Sequence, residues 1–136
     1  IGNMVSESSL PKNENKVLIV TYGMGVHWAL GIDNDLTDKV GILDLRTLYP
    51  LDEALIFAKS KEYNRIIVLT EEPVNNSFAR SIAARIQEMC FEYLDAPVRT
   101  IGAENIPAIP LNEVLEKTML PNSKKVSDAV KNILSY

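Results

Sequence analysis

Residues 66–97 read IIVLTEEPVNNSFARSIAARIQEMCFEYLDAP, and this stretch predicts a strand, a loop and a helix in succession. Ile66 to Leu69 is a short run of β-branched and aliphatic residues, typical of a strand buried on both faces of a parallel sheet. Pro73 has no amide hydrogen to donate to a neighbouring strand, so we expect the strand to end there. Because this unit is half of a strand–helix–strand crossover, it predicts a parallel sheet around it.

The helix of this unit is predicted to begin at Asn76 or Ser77, because either side chain can accept a hydrogen bond from the first free amides. Apolar residues then recur at spacings of three and four, which predicts one buried stripe. The stripe comprises Phe78, Ile82, Ile86, Met89 and Tyr93. We expect the helix to end before Pro97, since the residue before a proline disfavours the helical conformation.

Strands and helices alternate along the rest of the chain. Further strands are predicted at 17–22, 40–45 and 98–101, further helices at 26–30, 53–60, 113–119 and 124–134, and a loop at 103–110. Asp52 is a candidate cap for the helix at 53–60, and residues 2–9 are a candidate edge strand. The pattern predicts an α/β fold: three α/β/α layers with a mostly parallel five-stranded sheet and one antiparallel edge strand.

The composition predicts one globular domain, residues 1–136, with 46% hydrophobic and 24% charged residues. A net charge of −4 argues against nucleic acid as a partner. No apolar run is long enough to cross a bilayer. The single cysteine, Cys90, is predicted to be buried and fits a reducing compartment, so we expect a cytoplasmic protein. The chain begins with Ile1, which suggests a piece of a longer polypeptide.

The glycines after the first strong strand raise the possibility of a dinucleotide-binding loop. Gly31 lies six residues after Gly25, however, where the dinucleotide fingerprint requires three, and no acidic residue stands where a ribose would be held. A tight turn at Gly23 and Gly25 is therefore the preferred interpretation.

The remaining reactive side chains do not form a catalytic set. His27 is the only histidine and has neither the partners of a triad nor those of a zinc site, so we expect a packed or interfacial residue. Glu71 and Glu72 are adjacent on an extended chain and point in opposite directions, which makes them a poor acid–base pair. An ion pair or an interface contact is the expected role of these glutamates. They would also repel a phosphate from the helix terminus at Asn76.

Several motifs together resemble one family. The segment Asp44–Asp52, DLRTLYPLD, resembles the D-L-R-T-hydrophobic-x-P-hydrophobic-D motif of the C-terminal domain in thiamine-diphosphate-dependent 2-oxoacid dehydrogenases, within the transketolase C-terminal family. Leu69–Phe78 is similar to the family's strand-E-x-P-loop-G-G-F segment, and Phe91–Pro97 resembles F-x-x-L-[DE]-A-P. Leu115–Pro121 resembles L-E-x-x-x-L-P. Asn76-Ser77 replaces the glycine pair, which puts the close backbone approach of that loop in question.

The resemblance implies a non-catalytic assembly and docking domain in the beta subunit, or beta part, of a decarboxylating component of the branched-chain 2-oxoacid or pyruvate type. The whole enzyme would decarboxylate a 2-oxoacid on thiamine diphosphate with magnesium and pass the acyl group to a lipoyl arm. Both cofactors would be held by upstream domains, so no catalytic, cofactor-binding or metal-binding residue is assigned here. The implied partners are those upstream domains, a second copy in the enzyme dimer, and the subunit-binding domain of a lipoyl acyltransferase.

The resemblance also implies which residues meet these partners. Asp95 and the chain end at Tyr136 match the family's docking carboxylates, which face a basic partner domain. A carboxylate just past a helix C-terminus needs a nearby cation, which agrees with docking; the alternative for Asp95 is a turn former before Ala96-Pro97. Candidates for the dimer interface are His27, Glu72, Asn76 and Phe78.

Two other classes of protein remain open from the sequence. In a transketolase-like or deoxyxylulose-phosphate-synthase-like enzyme, the same domain would only support the dimer, so binding to the acyltransferase separates it from the first class. In a stand-alone flavodoxin-like nucleotide or flavin binder, nucleotide would raise the thermal stability of the protein.

Overall fold

A sheet of parallel strands forms the centre of the protein in the computed structural model, which describes residues 4–6, 15–105 and 113–136. In chain order the strands are β1 (Met4–Ser6), β2 (Val17–Thr21), β3 (Val40–Asp44), β4 (Ile66–Pro73) and β5 (Arg99–Ala103). Their order across the sheet is β1-β3-β2-β4-β5. Strands β2 to β5 are parallel, and the short β1 pairs antiparallel with β3 at one edge, as predicted.

Helices cover both faces of this sheet, which confirms the predicted three layers. They are α1 (Met24–Leu30), α2 (Glu53–Tyr63), α3 (Phe78–Cys90), α4 (Glu113–Met119) and α5 (Ser123–Leu134). Short 3-10 helices occur at Asn34–Lys39 and Phe91–Tyr93. Buried residues of α1 and α5 pack on one face, and those of α2 and α3 pack on the other.

The strands at the centre are apolar because both of their faces are covered. Every residue of β2 is buried, with Leu18 and Val20 in the core layer of α2 and α3, and Val17 and Ile19 in the layer of α1 and α5. Alternation of side chains across the sheet makes such a strand read as a continuous hydrophobic run. That run is what made β2 and β4 recognisable in the sequence.

The predicted ends of the elements are correct at the caps. Ser77 is the N-cap of α3, since its Oγ accepts a hydrogen bond from the Arg80 amide at 3.0 Å. Asp52 caps α2, with its Oδ1 3.0 Å from the Leu55 amide. Strand β4 extends beyond Leu69 to Pro73, and its pairing with β5 is irregular between these two residues.

The predicted stripe of α3 is wrong at Phe78, Met89 and Tyr93. These side chains are 38%, 52% and 50% exposed, and the helix ends at Cys90 instead of continuing to Tyr93. The buried face is Ala79, Ile82, Ala83, Ile86 and Cys90. The alanines of this face let α3 lie close to the sheet, and Ile82 and Ile86 fill the core between them, whereas Phe78, Met89 and Tyr93 lie outside this face.

Two predicted segments fall partly outside the described residues. Of the candidate edge strand at 2–9 only Met4–Ser6 is described, and of the loop at 103–110 only the part up to residue 105. Among the described residues, no helix is long and apolar enough to cross a membrane.

Candidate functional site

The site residues predicted from the sequence lie at the two opposite ends of the parallel strands. We call these ends the carboxyl edge and the amino edge of the sheet. The carboxyl edge, where strands β2 and β4 end, carries Glu72, His27, Asn76 and Phe78. The amino edge, where β4 and β5 begin, carries Asp95. The structure therefore separates the candidate dimer residues from the candidate docking carboxylate.

At the carboxyl edge, Glu72 is held by hydrogen bonds from three elements. Its Oε1 accepts a short hydrogen bond from the Tyr22 hydroxyl, which directly follows β2. The Thr70 Oγ1 lies 3.1 Å from both the Glu72 Oε1 and the Tyr22 hydroxyl. The Glu72 Oε2 accepts a hydrogen bond from the Phe78 amide, the first of α3, at 3.3 Å. Both carboxylate oxygens are therefore bonded within the chain, and one of them lies at the positive end of the α3 helix dipole.

Tyr22 is the second part of this cluster. Partial burial and the hydrogen bond to Glu72 raise its pKa from 10.0 to about 12, because both disfavour a phenolate. Its ring also meets the Phe78 ring edge-on, with centroids 6.3 Å apart. Phe78 therefore covers the cluster and still keeps part of its surface exposed.

The glycine turn between β2 and α1 has a packing role. Gly23 has φ of 59°, a conformation in which a side chain is strained. A Cβ at Gly25 would lie 1.9 Å from the Thr21 Oγ1, which donates a hydrogen bond to the Leu69 carbonyl at 2.9 Å. Gly25 thus lets α1 approach the ends of β2 and β4 closely, as the tight-turn interpretation expects.

His27 and Asn76 are the most accessible candidates at the carboxyl edge. Both side chains are exposed. Asn76 has φ of 59°, in the left-handed region that favours glycine. The asparagine therefore adopts a glycine-like backbone conformation at the position of the family's glycine pair. This part of the loop keeps a free surface, in contrast to Glu72.

At the amino edge, Asp95 is paired with an arginine of its own chain. The Arg65 Nη1 lies 3.3 Å from the Asp95 Oδ2. The Arg65 side chain is 11% exposed and the Asp95 side chain 54% exposed. The cation that the sequence requires near Asp95 is therefore supplied internally, and the carboxylate still faces solvent.

The backbone around Asp95 is tied to the junction between α2 and β4. The Asp95 amide donates to the Asn64 carbonyl at 2.9 Å. Asn64 ends α2 in the left-handed conformation, with φ of 66°. With its side-chain amide oriented to donate, it bonds the Tyr93 carbonyl at 2.9 Å and the Lys61 carbonyl at 2.7 Å. The junction thus holds both ends of the turn that presents Asp95.

A shallow cleft of about 310 Å³ lies beside this carboxylate. It is lined by Gln87, Phe91, Leu94, Asp95, Ala96 and Pro97. Phe91 is 68% exposed, so the amino edge combines an accessible apolar surface with a negative charge. Tyr136 is 62% exposed, and Ile133 before it shares a core cluster with Ala96.

The sequence did not reveal Tyr22, Thr70 and Arg65 as parts of these sites. The partner of Tyr22 is 50 residues away in the chain and that of Arg65 is 30 residues away, and such long-range pairs depend on strand register. Thr70 bonds Glu72, which is 2 residues away. A signal for Tyr22 and Thr70 was their position at the ends of neighbouring strands. The hydrogen bonds of Glu72 to Tyr22, Thr70 and the Phe78 amide were not predicted, and its role as an interface contact stays a prediction. Within residues 4–6, 15–105 and 113–136, no group of three His, Cys, Asp or Glu residues is placed to hold a metal ion.

These features define an α/β domain with helices on both faces of the sheet, a carboxylate bonded through both oxygens at the carboxyl edge and a partly exposed carboxylate at the amino edge. The chain belongs to the family described as transketolase, C-terminal domain, whose model matches residues 7–126. This confirms the resemblance seen in the motifs.

The relatives of known identity include subunits of 2-oxoacid dehydrogenases. The chain is 31% identical over 136 residues to the 2-oxoisovalerate dehydrogenase subunit beta of Bacillus subtilis, covering 97% of this chain and 41% of that subunit. It is 31% identical over 132 residues to the pyruvate dehydrogenase E1 component subunit beta of Rhizobium meliloti, covering 95% and 28%. The chain thus spans less than half the length of these relatives.

A solved structure of a split gene transketolase, described as an inactive beta4 tetramer, has the same fold. The TM-score is 0.70 at 20% identity, covering 91% of this chain and 41% of that chain. The three-layer architecture is therefore shared beyond the dehydrogenase subunits.

Proposed function

We propose that this chain is the assembly and docking part of the beta subunit of a 2-oxoacid dehydrogenase decarboxylating component. The observation that carries this proposal is its identity of 31% along nearly its whole length to two such beta subunits. The whole enzyme would act on a 2-oxoacid of the branched-chain or pyruvate type in the cytoplasm. Within it, this domain supports the dimer and binds the lipoyl acyltransferase.

Thiamine diphosphate and magnesium belong to the upstream domains in this proposal. The two carboxylate sites described above do not fit magnesium. Both oxygens of Glu72 are occupied by Tyr22, Thr70 and the α3 terminus, and Asp95 is a single carboxylate beside a cation. Magnesium is usually bound through one or two carboxylates, with water in its other octahedral positions, and both Glu72 and Asp95 are already bonded to donors of their own chain.

The carboxyl edge is the proposed dimer contact. His27 and Asn76 are exposed there, and Phe78 presents a partly exposed ring over the Glu72 cluster. Aromatic side chains with a rigid support are common at the centres of protein interfaces. Glu72, the fourth residue of this proposed contact, also orders the start of α3 through its hydrogen bond from the Phe78 amide.

The amino edge is the proposed docking surface for the acyltransferase. Asp95 supplies an accessible negative charge, and Phe91 supplies accessible apolar surface beside it. We assign the second docking position to Tyr136, which is also exposed. A basic partner domain suits this edge because opposite charges steer association and fix its register.

Calorimetric titration tests the proposed docking. The protein is titrated with the subunit-binding domain of the lipoyl acyltransferase from its own organism, at low and at high salt. We expect binding that weakens as salt screens the charge pair. Absence of binding to a sample shown to be dimeric would contradict the docking proposal and favour a transketolase-like enzyme, in which the domain only supports the dimer.

A further inference from the structure

A buried arginine stands behind the proposed docking carboxylate. The Arg65 side chain is 11% exposed, and its Nη1 is 3.3 Å from the Asp95 Oδ2. Burying a guanidinium is costly unless an anion and hydrogen bonds compensate for the lost water. The Nε of Arg65 is buried and has no hydrogen-bond partner among the described residues. Asp95 is therefore the anion that compensates this cation, in a pair that solvent reaches from the Asp95 side.

The same arrangement restricts Asp95. Its side-chain oxygen is bound to a guanidinium at the buried start of β4, and its amide is bound to the Asn64 carbonyl. A residue fixed through both its main chain and its side chain has little conformational freedom to lose when a partner binds. Such preorganisation lowers the entropic cost of association.

The carboxylate nevertheless retains capacity for a second cation. An ionised carboxylate has two oxygens and about four acceptor positions. Arg65 occupies one oxygen from the protein side, and 54% of the Asp95 side chain faces solvent. A partner cation can therefore reach the other oxygen without displacing the arginine.

We propose that Arg65 is the positioning residue of the docking site, an inference that rests on the proposed docking function. It holds Asp95 in the orientation that a cationic group of the partner recognises, so that the docked carboxylate bridges two cations. Arg65 itself makes no contact with the partner.

The first test measures positioning in the absence of any partner. We expect Arg65→Met to speed hydrogen exchange at the Asp95 amide by about tenfold or more, with the amides of α3 unchanged, because only the local turn is released. The matched control is Arg85→Met, which removes another paired arginine, the partner of Glu53 at 3.2 Å. Unchanged exchange at Asp95, or faster exchange throughout the protein, would overturn the positioning role.

The second test measures docking by a double-mutant cycle. Affinity for the acyltransferase domain is compared among wild type, Arg65→Met, Asp95→Asn and the double variant, at a temperature where each is folded. We expect Arg65→Met to weaken binding about tenfold in the wild-type background and to have no further effect beside Asp95→Asn. Arg65→Lys, which keeps the charge, should restore part of the affinity.

The outcomes separate the two proposals. Unchanged or tighter binding by Arg65→Met would overturn the positioning role and leave docking intact. If the wild type does not bind although Arg65→Met releases the Asp95 amide, the docking function fails while the local restraint on Asp95 stands.

Discussion

Each of the two edges of the sheet carries one carboxylate that is bonded within the chain. The two carboxylates differ in how many of their oxygens are bonded and in how exposed they are. Glu72 has both oxygens bonded, to side chains after β2 and within β4 and to the first amide of α3. Asp95 has one oxygen bonded to Arg65 and more than half of its side chain exposed. A carboxylate that is fully used inside the protein acts in stability, whereas one that is held and still open is suited to recognition. The carboxylate at the carboxyl edge is therefore closed to a further partner, and the carboxylate at the amino edge is open to one.

The largest expected effect distinguishes Glu72 as a structural residue. We expect Glu72→Ala to lower the free energy of unfolding by about 2–3 kcal/mol, because three hydrogen bonds to a charged group are lost, including the one from the first amide of α3. Urea denaturation monitored by circular dichroism measures this change. The neighbouring Glu71→Ala, at an exposed position, should change stability by no more than about 0.5 kcal/mol. Equal effects of the two variants on stability would contradict the structural role assigned to Glu72.

The matching change at the open edge should have a smaller effect on stability. We expect Asp95→Ala to cost about 1 kcal/mol in the same denaturation experiment, since an ion pair with one exposed member is partly screened by solvent. A loss as large as that of Glu72→Ala would show that the Arg65–Asp95 pair is mainly structural. The comparison between the two edges would then fail.

Two asparagines in the left-handed conformation sharpen the same comparison. Asn64 uses its side chain at the amino edge to bond the Lys61 and Tyr93 carbonyls, whereas Asn76 is exposed at the carboxyl edge. We expect Asn64→Gly to lower stability by about 1 kcal/mol through the lost hydrogen bonds. Asn76→Gly should leave stability within about 0.5 kcal/mol, because glycine accepts the same backbone conformation. Thermal melts of both variants provide the measurement, and a reversed order would disprove the assigned side-chain bonds.

The stability of the protein should also depend on alkaline pH through Tyr22. The pKa of Tyr22 is about 12 in the folded protein and 10.0 as the ordinary value, so folding favours the protonated phenol. Its contribution to stability is complete below pH 10 and is lost as the pH rises to 12. We expect Tyr22→Phe to remove this part of the decline when unfolding is measured across that range. The difference in the free energy of unfolding between variant and wild type separates the contribution of Tyr22 from those of the other groups that titrate in this range. Parallel curves of stability against pH would contradict the role of Tyr22.

The sequence predicted the architecture well because its strongest signals are local. The apolar runs of β2 and β4, the caps Asp52 and Ser77, and the regular alternation of elements identified the fold. The face of α3 was wrong because the prediction favoured large apolar residues such as Met89, although alanines make the contact with the sheet. The partners of Glu72 and Asp95 could not be predicted, since they depend on which residues the strand register brings together. That Asp95 would need a cation was foreseen, but not that Arg65 supplies it.

Strand β4 joins the two edges and also keeps them apart. Arg65 precedes the strand and Glu72 lies near its end, so about seven residues at roughly 3.3 Å each put some 20 Å between the two carboxylate sites. Changes at positions this far apart, without shared partners, usually have additive energies. Natural variation can therefore alter one edge to suit a new partner without requiring a compensating change at the other. The fully bonded carboxylate of one edge and the partly exposed carboxylate of the other can therefore evolve as separate traits.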